Sequence, residues 1–153
     1  MNLTYHHVIR PGILLVVLIL GFMATPVRAD DAAVKAVASA AMQTWLLEID
    51  RDEYVQSWQD AAPSLQKVLT SDQWVKALTS VRKPLGKCTE RKLASATEKN
   101  EISTADGVFK GDFIIAQYDS TFENSVKAVE TVRFEKMPDG TWKVAAYHVK
   151  TSS

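Results

Sequence analysis

Apolar residues return every three or four positions between Ala32 and Ile49, where Val34, Ala38, Ala41, Trp45 and Ile49 mark one face of a helix. This predicts a first, long amphipathic helix. The acid-rich EIDRDE stretch from Glu48 to Glu53 interrupts the pattern, and Tyr54, Val55 and Trp58 then predict a short second helix. It must end before Pro63, because the residue preceding a proline is pushed out of helical geometry. Leu65, Val68 and Leu69 continue the helical period beyond that proline. Thr70-Ser-Asp-Gln73 has the form of a capping box, in which a hydroxyl and a Gln side chain satisfy free backbone N–H groups at a helix start. Trp74, Leu78 and Val81 are the predicted buried stripe of this helix, with Pro84 and Gly86 as its stop.

After Gly86 the period shortens to two. Leu93 to Thr97, Phe113 to Phe122, Val126 to Met137 and Thr141 to Val149 are rich in β-branched and aromatic residues and predict strands. Pro138-Asp139-Gly140 supplies a tight turn between the last two, since Pro presets one backbone angle and Gly accepts a positive one. Asn100 to Gly107 is polar and predicts a mobile loop. Helices first and antiparallel strands afterwards make an α+β domain, with the helices packed against one face of a sheet of about four strands.

Alternation assigns faces within those strands. Glu130 shares its side with Val126, Ala128, Val132 and Phe134, while Lys127, Thr131, Arg133 and Glu135 take the other. A carboxylate is thus aimed at the apolar side, where it must either neutralise or find a cation. Arg82, at the end of the last helix, and Arg91, in the first strand, are the cations within reach. The same face receives Tyr118, from the series Ile114, Ala116, Tyr118, Ser120, Phe122, together with Trp142. Tyr118, Glu130, Arg82, Arg91 and Trp142 are therefore the candidate cavity residues. Val129, Ala145, Tyr147 and Val149 fall on the outer face if Trp142 and Val144 point inward, and an apolar patch there would serve self-association into a homodimer.

The start of the chain bears on location rather than fold. A basic-tipped opening runs into an apolar stretch from Ile13 to Ala24, broken by Pro26 before Val27-Arg28-Ala29, the three-part pattern of a cleaved signal peptide spanning Met1 to Ala29. The stretch is shorter than the roughly 20 residues a membrane span needs, and no Cys follows it to carry a lipid. The expected mature chain, residues 30–153, is one domain that is periplasmic or secreted, with no stable membrane span. Removing the signal takes away two of 18 basic residues and none of 18 acidic ones, for a net charge of −2. Acids and bases are interspersed, so the basic stripe that nucleic acid requires is missing. Cys88 is the sole cysteine, so stability rests on packing rather than on an internal disulfide.

Few residues offer chemistry. His148 is the one histidine beyond the signal, and nothing in the spacing brings Cys88 or a serine to it. Ser64-x-x-Lys67 and Ser80-x-x-Lys83 match a nucleophile motif of penicillin-binding enzymes without its companion elements, and read as solvated helix faces. Glu48, Asp50, Asp52 and Glu53 lack the Gly and closing Glu of a calcium loop. No metal, no cofactor and no hydrolase activity are expected.

WLLEIDRDEYVQSWQDAAP from Trp45, then Trp74-x7-Arg82-Lys-Pro-Leu-Gly86 with Arg91 five residues on, then QYDSTF, VETV and DGTWKVAAYHV, together resemble the bacterial secreted proteins grouped as domain of unknown function 4019. The resemblance implies a cone-shaped fold of nuclear-transport-factor-2-like or cystatin-like kind and brings no established activity. Three functions are compatible with these residues. The favoured one is a non-catalytic module that binds a small molecule or an envelope partner between helices and sheet. The second is a cone-fold enzyme of isomerase or dehydratase type, in which Tyr118 and a neutral Glu130 donate to an oxyanion as in ketosteroid isomerase. The third is a structural dimerisation module.

Overall fold

A computed structural model describes residues 29–104, 107–124 and 126–152. The predicted signal peptide, apart from Ala29, lies outside them. Five helices, α1 (Ala29–Gln43), α2 (Trp45–Asp50), α3 (Tyr54–Gln59), α4 (Pro63–Val68) and α5 (Ser71–Arg82), precede four strands, β1 (Cys88–Thr104), β2 (Gly107–Phe122), β3 (Lys127–Lys136) and β4 (Trp142–Thr151). The strands form one antiparallel sheet in the order β1-β2-β3-β4. This is an α+β fold with helices packed against a four-stranded antiparallel sheet. No helix among the described residues is long and apolar enough to cross a membrane.

The long first helix is in fact two. Thr44 leaves helical geometry at φ −122°, ψ −89°, and its hydroxyl donates to the Ala40 carbonyl at 3.1 Å, the back-bonding by which Thr bends a helix. The break brings Leu46 into the core beside Trp45 and Ile49. The turn after α2 is closed by Asp52 at φ +60°, a conformation Asp tolerates, with the Tyr54 hydroxyl donating to its carboxylate at 2.6 Å. Pro63 opens α4, where its missing N–H costs nothing. The preceding Ala62 is extended and donates to the Val144 carbonyl at 2.8 Å, docking the chain on the edge strand.

Both halves of the predicted capping box form at the start of α5. Its buried stripe is corrected in one position: Trp74, Leu78 and Arg82 face inward, while Val81 is 42% exposed. A paired guanidinium on a long apolar stem occupies the place expected for a valine.

Asn100 to Gly107 is likewise corrected. Rather than a loop, β1 runs to Thr104 and pairs with the start of β2, with Ile102 opposite Phe109 and Thr104 opposite Gly107. Apolar cross-strand partners supplied by β2 make a strand of a segment that is polar when read alone. Pairing of β2 with β3 begins only at Phe113, so this arm extends beyond β3.

The third correction concerns β4. Arg133 lies opposite Ala146 but Phe134 lies opposite Val144, which leaves Ala145 as an extra residue in the ladder. Such a bulge reverses the alternation beyond it. Tyr147, opposite Val132, and Val149, opposite Glu130, therefore share the inner face with Trp142 and Val144. The proposed outer patch of Val129, Ala145, Tyr147 and Val149 is not assembled.

The inner face carries the core. Ala38, Trp45, Leu46, Ile49, Trp74 and Leu78 from the helices meet Ile114, Ala116, Tyr118, Val132, Phe134 and Val144 from the sheet. A smaller cluster of Leu85, Phe122 and Ala128, with Val149 against it, closes the end where α5 turns into β1.

Candidate functional site

Between the two clusters lies a polar centre. The last turn of α5 brings in Arg82, β1 supplies Arg91 opposite Ser120 of β2, β3 supplies Glu130, and Asp50 arrives at the C-terminal end of α2. Glu130 is fully buried. Its Oε1 accepts from Arg82 Nη1 at 3.0 Å, from Arg91 Nη2 at 3.2 Å and from the Tyr147 hydroxyl. Its Oε2 accepts from Arg91 Nε at 2.6 Å and from the Ser120 hydroxyl. Asp50 bridges the same two arginines, accepting from Arg82 Nη2 at 2.6 Å and from Arg91 Nη1 and Nη2 at 2.7 and 2.9 Å. Two guanidinium and two carboxylate groups thus balance, and the Arg82 guanidinium also lies 4.6 Å from the centre of the Phe122 ring.

The electrostatics follow from this closure. Burial pushes the Glu130 carboxyl up, but the Arg91 hydrogen bonds and charge, with Ser120 and Tyr147, more than reverse this and hold it below its ordinary value. Glu130 is therefore ionised. Burial, reinforced by the Glu130 charge, raises Tyr147 well above the usual phenol range, so it stays a neutral donor. Burial tends to lower Arg91, and the two carboxylates outweigh it and raise it. Every Glu130 oxygen is occupied. The arrangement can fix α2 and α5 against all four strands, and it leaves Glu130 out of reach of a substrate, while Asp50 and Arg82 at its outer edge line a depression of about 520 Å³.

Four of the five predicted residues gather at or beside this centre, in two different settings, and the fifth, Trp142, stands apart on the same inner face. Glu130, Arg82 and Arg91 form the expected clamp. Tyr118 is opposite Glu130 in the register, yet its hydroxyl donates to the Ala38 carbonyl of α1 at 2.7 Å. With Glu130 charged and Tyr118 engaged, the neutral-acid and phenol pair of an isomerase site is not formed. Trp142 lies at the opposite end of β4 from Val149, paired with Lys136, whose ammonium sits 5.6 Å from its ring. It lines a separate, open depression of about 590 Å³ with Trp45, Glu48, Asp60 and Lys143.

Asp50 and Tyr147 were missed. Asp50 is hidden in sequence among acids that read as a solvated helix end, and Tyr147 is hidden by the bulge. Ser120 carries the right alternation but no charge to single it out. The remaining candidate groups have ordinary surroundings. His148 is exposed, burial pushes the Cys88 thiol up, the Ser64 hydroxyl donates to Glu135, and that of Ser80 donates to the Ala77 carbonyl at 2.7 Å.

A second feature is open where Glu130 is enclosed. A pocket of about 400 Å³ is walled by Leu65 and Val68 of α4, Leu69 and Trp74, by Ile102, Phe109 and Lys110 of the β1–β2 arm, and by Phe113, Arg133, Glu135 and Ala146 of the sheet. Val68 and Phe109 are 77% and 51% exposed, large apolar side chains that the protein covers only in part. The pocket depends on the arm that the sequence misread as a loop.

No curated protein and no solved structure matches the chain. The family described as "Protein of unknown function (DUF4019)" matches residues 40–147, a span that includes Asp50, Arg82, Arg91, Ser120, Glu130 and Tyr147. By that match, covering most of its length, the chain belongs to the DUF4019 family.

Proposed function

We propose that this protein is a periplasmic or secreted binding module that holds a small, largely apolar molecule in the pocket between α4 and the β1–β2 arm. The observation that carries it is the contrast between that pocket and the polar centre. Glu130 is buried with both oxygens occupied, whereas Val68 and Phe109 stand largely exposed around a space of about 400 Å³. That volume falls within the roughly 300–1,000 Å³ of ordinary ligand sites, which are mostly apolar with a few polar groups. The location rests on the signal-peptide pattern of Met1 to Ala29, and N-terminal sequencing of the exported protein should begin at Asp30.

The binding role is tested by native mass spectrometry of the purified protein for retained small molecules, and by titration with the neutral fluorophore N-phenyl-1-naphthylamine. The dye should bind the parent, and Phe109→Asp and Val68→Asp should each weaken it by on the order of tenfold or more, since a carboxylate in an apolar wall must be desolvated. Absence of binding, or binding by both variants as tight as that of the parent, would remove this function.

A further inference from the structure

The apolar pocket contains one polar group whose bonding is incomplete. Arg133 lies on the face of β3 opposite Glu130, half-buried at the pocket wall. Its Nη2 donates to the Ala145 carbonyl at 3.3 Å, but its Nε–H is buried and has no acceptor. No carboxylate lies within ion-pair distance of it among the described residues. The nearest acid along the strand on the same face, Glu135, accepts the Ser64 hydroxyl instead. This is unlike Arg82 and Arg91, whose guanidinium groups are filled by two carboxylates each. Lys110 adds a second cation to the lining, also without an ion-pair partner among the described residues. With Glu135 as the one acid there, the pocket carries an excess positive charge beside its apolar wall.

A buried guanidinium N–H without an acceptor is costly, and its planar fork is suited to a carboxylate. An apolar body would meanwhile be covered by Val68, Phe109, Ile102 and Leu65. Resting on the assignment of this pocket as the binding site, we infer that its ligand is a single-chain amphipathic carboxylate, with the acid group received by Arg133 and Lys110 and the chain lying along α4 and the arm. Arg133 is the residue that distinguishes an acid from any other apolar molecule, and together with Lys110 it repels a cationic head.

The test is displacement of bound N-phenyl-1-naphthylamine from the exported protein by decanoate, decanol and decyltrimethylammonium, three molecules with the same chain and different heads. Decanoate should displace the dye at concentrations on the order of tenfold lower than decanol, with decyltrimethylammonium the weakest. In Arg133→Gln the dye should still bind and the advantage of decanoate over decanol should disappear. Lys110→Gln, an exposed change that keeps Arg133, should reduce the advantage in part and serves if Arg133→Gln does not fold. Equal displacement by decanoate and decanol in the parent overturns the carboxylate assignment while leaving a binding pocket. An advantage that survives both substitutions overturns it as well, and failure of the dye to bind at all removes pocket and ligand together.

Discussion

At Glu130 a single alternating strand pattern carries a long way. Its position among Ala128, Val132 and Phe134 predicts a buried acid that must either neutralise or find a cation, and Arg82 and Arg91 are the cations it finds. The same logic fails for Asp50, because Asp50 keeps 19% of its side chain exposed and stands in a run of acids that solvent alone would explain. Removing the central carboxylate leaves two buried guanidinium groups sharing one partner. Glu130→Ala should therefore destabilise the protein by about 3–5 kcal/mol in urea unfolding. Tyr147→Phe, which takes away one neutral donor to a charged acceptor, should cost about 1.5–3 kcal/mol. A Glu130→Ala protein as stable as the parent would show that the network adds nothing to the fold.

Among the elements, the capping box of α5, the proline start of α4 and the Pro138-Asp139-Gly140 turn are legible because each is set by contacts within a few residues. The arm and the bulge are not. Ile102 becomes part of a strand only when Phe109 is beside it, and Ala145 becomes an extra residue only against the spacing of β3. Deleting Ala145 would restore strict alternation and leave Tyr147 opposite Val132 and Val149 opposite Glu130, so both stay on the inner face, where Tyr147 donates to Glu130 and Val149 packs on the Leu85 cluster. Retention of the cooperative thermal transition is the expected result for the deletion, and also for Ala145→Gly, which keeps the bulge. A deletion that abolishes the transition would contradict the reading of Ala145 as the one extra residue of this ladder.

For the whole molecule, stability should pass through a maximum in weakly acidic solution. Glu130 is held below its ordinary pKa of 4.5, so its contribution is complete above that value and is lost as pH falls through the lower value of the fold. Glu48 acts in the opposite sense. Burial, with the nearby charges of Asp60 and Glu53 and a hydrogen bond shared with Asp60, raises it from 4.5 to about 7, and its Oε2 is buried without a partner. The fold favours its protonated form, so that contribution is full below pH 4.5 and is lost as pH rises to about 7. Melting temperatures from pH 3 to pH 9 should show both limbs. Glu48→Gln should flatten the neutral limb alone and melt above the parent at pH 8. A parent whose melting temperature is unchanged between pH 5 and pH 8 would contradict the placement of Glu48.

Local periodicity, caps and turn residues determined the α+β class, most helix ends and the inward face of β3 that carries Glu130, since these follow from interactions reaching about one helical turn or one strand neighbour. Only the tertiary structure decided which groups meet. Asp50 lies 32 residues from Arg82, Glu130 lies 48 from it and Tyr147 lies 65 from it. Their contact depends on the break at Thr44, the end of α5 and the bulge at Ala145 together. The open pocket has the same origin, because its walls come from segments that carry no joint pattern until the β1–β2 arm and α4 are folded beside one sheet. Register and long-range pairing are fixed by the burial of whole faces against one another, a sum of many contacts that no short window of sequence contains.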